Sequence, residues 1–211
     1  MIAHCLEAID RSRSIDAVVV VAPASVTAQA DAAHPIEAWL SGRCPLLAVV
    51  AGGDTRQVST RLGLDAVPSE ASVVVCHDAA RPFARPELFD LVVETLESSG
   101  GRAAGVIPVV PVPDTVKRVE DGVVVETMDR SGLALAQTPQ AFDAAALRHA
   151  HERARAVGRE ATDDAMLLEW AGLAVAVVPG DPSNHKITTP DDLRWADRKG
   201  TLPSEADPAV G

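Results

Sequence analysis

Short runs of Val, Leu and Ala alternate along the chain with longer stretches in which apolar residues recur every three or four positions. The apolar runs at residues 17–22, 46–51, 72–76, 103–110 and 174–178 predict strands buried on both faces, as in a mainly parallel sheet covered by helices. Helical spacing predicts helices over 1–12, 24–40, 55–64, 86–98, 143–157, 163–171 and 190–198, with Thr162 and Thr189 in capping positions before the last two. Strand and helix in alternation predict an α/β domain over residues 1–199 with helices on both faces of the sheet.

One segment breaks this rhythm. From Val112 to Met128 two β-prone runs flank Asp121-Gly122, a strong signal for a two-residue hairpin turn. Both runs mix charged and apolar residues, so the hairpin is expected to project from the domain as an arm within residues 112–133. An isolated two-stranded ribbon is marginal in water, so a second copy of the chain is the simplest surface to receive it; the alternative is a hairpin folded back on its own domain. Residues 200–211, rich in Pro, Ala and acid, read as a disordered tail.

Composition narrows the function. Hydrophobic residues are 47% of the 211 and charged residues 23%, which suits a globular domain. Aromatics are 3% with no Tyr, and the net charge is −11, so neither base stacking nor attraction to polyanions is available; no nucleic acid or anionic membrane partner is expected. Cys5, Cys44 and Cys76 form no CxxC pattern, which argues against a disulfide framework or zinc site and fits a reducing, cytoplasmic setting. The apolar runs are too short to span a bilayer, and no secretory signal pattern follows Met1.

Several polar clusters follow predicted strands, where α/β sheets gather ligands. After 72–76 come His77, Asp78 and Arg81: a carboxylate able to hold a hard cation and a guanidinium able to grip phosphate, or simply two charges that pair to settle a loop. After 46–51 come Gly52, Gly53 and Asp54 before a helix containing Ser59, either a close-approach loop for a ligand or an ordinary tight turn. Lys186 follows the last strand, and lysine is otherwise confined to Lys117 and Lys199. Arg130 and Thr138, taken alone, read as a solvated charge and the start of a helix. The histidines show no HExxH spacing and no GxSxG elbow exists, which disfavours hydrolase schemes.

Read in order, AGGDTRQVS at 51–59, HDAARP at 77–82, PVPDTVKR at 111–118, AQTPQAF at 136–142, TDDA at 162–165 and NHKITTPDDL at 184–193 resemble the 2-C-methyl-D-erythritol 4-phosphate cytidylyltransferase family of the non-mevalonate isoprenoid pathway. The resemblance implies a Rossmann-like fold and a reaction in which the phosphate of a sugar alcohol attacks the α-phosphorus of CTP, with Mg2+ as cofactor and pyrophosphate as leaving group. It implies that Gly53, Asp54 and Ser59 bind cytidine and that Asp78 sits by the ribose-phosphate and the metal. Arg81, Thr138, Thr162 and Lys186 would surround the substrate, with Lys186 and Arg130 in the chemistry. Thr115 and Arg130, on the arm, would cross to the partner's site in a homodimer. A pentitol-phosphate cytidylyltransferase shares much of this text, and an inactive dimerising remnant is a further alternative.

The family opens with a strand, a Gly-rich loop and a Pro-Lys segment, whereas this sequence begins at the helix that would follow them. Without them two strand edges should face each other in mid-sheet and the main phosphate cradle should be lacking. The expectation is therefore that the true start lies upstream, and that these 211 residues alone transfer little cytidylyl group.

Overall fold

The computed structural model describes residues 1–28, 36–40 and 42–198. The tail expected at 200–211 and the middle of the helix expected over 24–40 lie outside the described residues. In chain order the elements are α1 (Ile2–Arg11), β1 (Val18–Ala22), α2 (Ala24–Thr27), β2 (Leu46–Ala51), α3 (Arg56–Asp65), β3 (Val73–Cys76), α4 (Pro86–Ser98), β4 (Gly105–Pro111), β5 (Lys117–Glu120), β6 (Val123–Thr127), β7 (Ala134–Ala136), β8 (Gln140–Asp143), α5 (Ala144–Ala156), α6 (Asp164–Trp170), β9 (Val175–Pro179) and α7 (Pro190–Arg198).

Local chemistry sets the helix starts. Thr55 caps α3 by accepting from the N–H of Val58 at 3.2 Å, and Asp143 caps α5 by accepting from Ala146 at 2.8 Å. Pro86 occupies the first turn of α4, where its missing N–H costs nothing. Thr189 receives the N–H of Asp192 at 3.1 Å, as a cap should. At α6 the cap is Asp163, which accepts from Met166 at 3.0 Å; Thr162, expected there, lies one residue too early.

All five predicted strands form, and the α/β class holds. β1 pairs parallel with β2, and β4 pairs parallel with β9. Two further strands were not foreseen. β8 runs antiparallel between β3 and β4, and β7 continues along the same edge of β4, opposite β9. The five-stranded sheet is therefore mixed, with β3, β4 and β9 sharing one direction. Period-two alternation divides its faces. Val106, Ala141 and Val178 pack under Val92, Val93 and Leu96 of α4, while Ile107 and Phe142 pack under Leu147 of α5 and Leu167 and Leu168 of α6. Gly105 permits this second layer, since a Cβ there would stand 2.7 Å from the Phe142 ring.

β1 and β3 belong to separate sheets, and the cleft between them holds about 1020 Å³. Val18–Ala22 and residues 73–76 wall it, and Leu6 and Phe89 also line it. Gly53, Arg56 and Asp78 line the cleft too, so it communicates with the polar cluster beyond β3.

The arm matches its expectation as a hairpin. β5 and β6 pair antiparallel about Asp121 (φ 48°) and Gly122 (φ 79°), the left-handed pair that a tight two-residue turn requires. Every residue of both strands is exposed, including Val119, Val123, Val124 and Val125. Among the described residues, no helix is long and apolar enough to cross a membrane.

Candidate active site

Asp78, just past the end of β3, is the centre of a charge cluster. Its Oδ1 accepts from Arg56 Nε at 3.0 Å and its Oδ2 from Lys186 Nζ at 2.9 Å. Burial alone would raise the pKa of this carboxyl, but Arg56 and Lys186 outweigh it and hold the group below the ordinary carboxylate range. The alternative that Asp78 pairs with Arg81 to settle a loop is not what the structure adopts, because Arg81 spends its fork elsewhere.

Arg81 donates from Nη1 to the carbonyl of Asn184 at 2.9 Å and from Nη2 to that of Ala136 at 3.1 Å, tying the Lys186 loop to the end of β7. The same loop is fastened by the N–H of Ile187 to Ala80 O at 2.7 Å and by Asn184 Nδ2 to Thr138 O at 2.9 Å. Trp195 of α7 lies edge-on to His185 at 4.6 Å, beside the lysine. Lys186 is thus carried on a fixed backbone with a flexible, partly exposed side chain, a good arrangement for meeting an incoming phosphate.

Thr138 is buried, and its hydroxyl is already committed. It accepts the N–H of Asp78 at 3.1 Å and meets His77 Nδ1 at 3.1 Å, while His77 Nε2 faces the carbonyl of Arg81 at 3.2 Å. A carbonyl can only accept, so His77 carries its proton on Nε2 and Nδ1 accepts from Thr138. Burial pushes the His77 pKa down to about 4, so the ring is neutral near pH 7. Thr138 therefore steadies Asp78 and has no proton left to offer a substrate.

The glycine loop lies alongside. The N–H of Gly53 donates to Ser59 Oγ at 3.1 Å, folding the loop onto the first turn of α3. A Cβ on Gly53 would stand 2.2 Å from Val58, so the backbone packs tightly against the helix there. Asp54 is exposed at the loop's tip. Thr162 is exposed and precedes α6, whose Asp164 joins Arg56 at 2.8 Å and so brings that turn into the cluster.

Most of the predicted residues therefore lie around the ends of β2 and β3, with Gly53, Asp54, Ser59 and Asp78 lining one cleft. Thr115 and Arg130 do not join them within this chain: both are exposed on the arm, where Arg130 donates to the carbonyls of Pro113 and Val112. Sequence reasoning missed Arg56, Asp164 and Asn184. All three sit inside the segments that carried the resemblance, and Asn184 is fully buried, which is costly for an amide unless it is holding a loop.

Among the described residues, no three His, Cys, Asp or Glu side chains stand close enough to cage a metal ion. Magnesium is commonly held by one or two carboxylates with phosphates and water supplying the remaining ligands. Asp78 fits that pattern provided a phosphate draws Lys186 off its Oδ2.

Comparison with known proteins gives a consistent result. The family model described as IspD, 2-C-methyl-D-erythritol 4-phosphate cytidylyltransferase, matches residues 1–199. The bifunctional enzyme IspD/IspF of Nitratidesulfovibrio vulgaris is 48% identical over 163 residues, 77% of this chain but 40% of that protein's length. The 2-C-methyl-D-erythritol 4-phosphate cytidylyltransferase of Streptomyces coelicolor is 42% identical over 208 residues, 93% of this chain and 73% of that protein. The crystal structure of the cytidylyltransferase of that name from Thermus thermophilus superposes with a TM-score of 0.75 at 34% identity, covering 93% of this chain and 86% of the other.

Proposed function

We propose, since this chain belongs to the 2-C-methyl-D-erythritol 4-phosphate cytidylyltransferase family, that the protein joins CTP to 2-C-methyl-D-erythritol 4-phosphate and releases pyrophosphate. The observation that carries the reading is the convergence of Asp78, Arg56 and Lys186 past the end of β3, beside the glycine loop that follows β2. In the reaction an oxygen of the sugar-alcohol phosphate forms a bond to the α-phosphorus of CTP, and the bond from that phosphorus to the pyrophosphate oxygen breaks. No proton need move, so positioning and charge neutralisation do the catalytic work.

The residues divide that work. Gly53, Asp54 and Ser59 form the wall against which cytidine would lie. Lys186 would move from Asp78 to a phosphate oxygen, where its charge offsets the charge built up as attack proceeds. Asp78, ionised throughout, would then hold Mg2+, which when bound screens the phosphates as a Lewis acid. Thr162 stands beside the cluster as a substrate contact. Arg81 acts by fastening the Lys186 loop.

The arm, with four exposed valines, suits docking on a second copy, and Arg130 and Thr115 would complete the partner's substrate site in that homodimer. Three free cysteines among the described residues accord with a cytoplasmic location. The test is pyrophosphate release by the protein supplied with CTP, Mg2+ and either 2-C-methyl-D-erythritol 4-phosphate or a pentitol phosphate. Turnover with the erythritol substrate supports the reading; turnover confined to the pentitol phosphate, or none with either, rejects it.

A further inference from the structure

Arg56, at the start of α3, spans two carboxylates that belong to different parts of the fold. Nε donates to Asp78 Oδ1 at 3.0 Å, past the tip of β3, and Nη1 donates to Asp164 Oδ2 at 2.8 Å, in the first turn of α6. The second carboxylate is the more deeply set. The Asp164 side chain is 1% exposed, and its Oδ1 meets Nε2 of His151, itself 2% exposed, at 3.2 Å. His151 Nδ1 is buried with no hydrogen-bond partner, so this ring's polar contact is directed at Asp164.

Burying an ion pair usually gives little net stability, because desolvation cancels most of the attraction. What a forked guanidinium adds is geometry: a planar group held at two ends cannot swing, whereas an ammonium held at one end can. Here the fork joins the three parts on which the transfer depends. α3 follows directly on the Gly53-Asp54 loop, Asp78 lies at the other end of the fork's short arm, and Asp164 is two residues beyond Thr162.

We propose that Arg56 is a positioning residue anchored by Asp164, a cross-brace that sets Asp78, the glycine loop and the Thr162 turn in one geometry for cytidylyl transfer. The role in transfer rests on the cytidylyltransferase reading above; the brace itself does not. Two variants and two readouts test it. Arg56→Lys keeps the charge but reaches one carboxylate at a time, and should lower kcat about 100-fold with KM for CTP changed less than roughly threefold, the split expected when orientation rather than affinity is lost. A kcat within twofold of wild type, or a loss of melting temperature with kcat per folded molecule intact, would overturn the proposal. Asp164→Asn is read by NMR exchange of the Arg56 Nε–H: the proton should exchange slowly in the wild type and about tenfold faster or more once the anchor is neutral. Unchanged protection in Asp164→Asn overturns the brace even if the wild type turns over. Accelerated exchange in a protein that shows no turnover leaves the brace standing and rejects the reaction.

Discussion

The hydroxyl of Thr138 accepts the main-chain N–H of Asp78 at 3.1 Å, although the two residues are 60 positions apart. That bond fixes the backbone from which the Asp78 carboxylate projects, and it is partly buried, with Thr138 itself buried. Thr138→Val keeps the shape but leaves the Asp78 N–H and His77 Nδ1 unpaired, which should cost about 1–3 kcal/mol. Thr138→Ser should recover most of it. Denaturant unfolding of the three proteins checks this, and an unchanged midpoint in Thr138→Val would contradict it.

His77 gives a pH signature. Its pKa is about 4 in the folded protein, lowered by burial, against about 6.5 when unfolded. Between those values the unfolded chain binds the proton and the folded one does not, so stability is lost as pH falls from about 6.5 toward 4, by an amount on the order of 3 kcal/mol. The ring carbon protons of His77 should keep the shifts of a neutral imidazole down to about pH 5.5. A titration midpoint near the unfolded value would show the ring to be open to water.

The arm predicts an oligomer. Val123 and Val125 are exposed on β6, and replacing both with Asp puts two charges on a surface proposed to meet a second copy. Sedimentation should show a dimer for the wild type and a monomer for the double variant, with the domain still folded by circular dichroism. A variant that remains dimeric would place the contact elsewhere.

What could be read from the residues depended on how local each signal was. The arm was legible because Asp121-Gly122 is a turn code complete in two residues, and the five apolar runs were legible because burial on both faces leaves little but Val, Leu and Ala. β8 was not: Gln140–Asp143 is four residues with a polar one at each end, and its place between β3 and β4 is decided by pairing across the sheet. Asp78 and Lys186 were singled out by their places after strands and by the family resemblance, whereas Arg56 and Asp164 were missed, since no spacing pattern links residues 56, 78, 164 and 186. Arg56 lies within the helix expected over 55–64, and only the folded chain shows that it bridges two carboxylates.

If the cluster around Asp78 carries cytidylyl transfer, Lys186 is the member that can be removed with least harm to the fold, because its side chain is 42% exposed and such a pair adds little stability. The most direct test is CTP-dependent pyrophosphate release by wild type and Lys186→Ala at matched folded concentration. The predicted result is a fall in kcat/KM of about 100-fold or more with a melting temperature close to that of the wild type. A Lys186→Ala protein that releases pyrophosphate within roughly threefold of the wild-type rate would contradict the proposed role of the cluster.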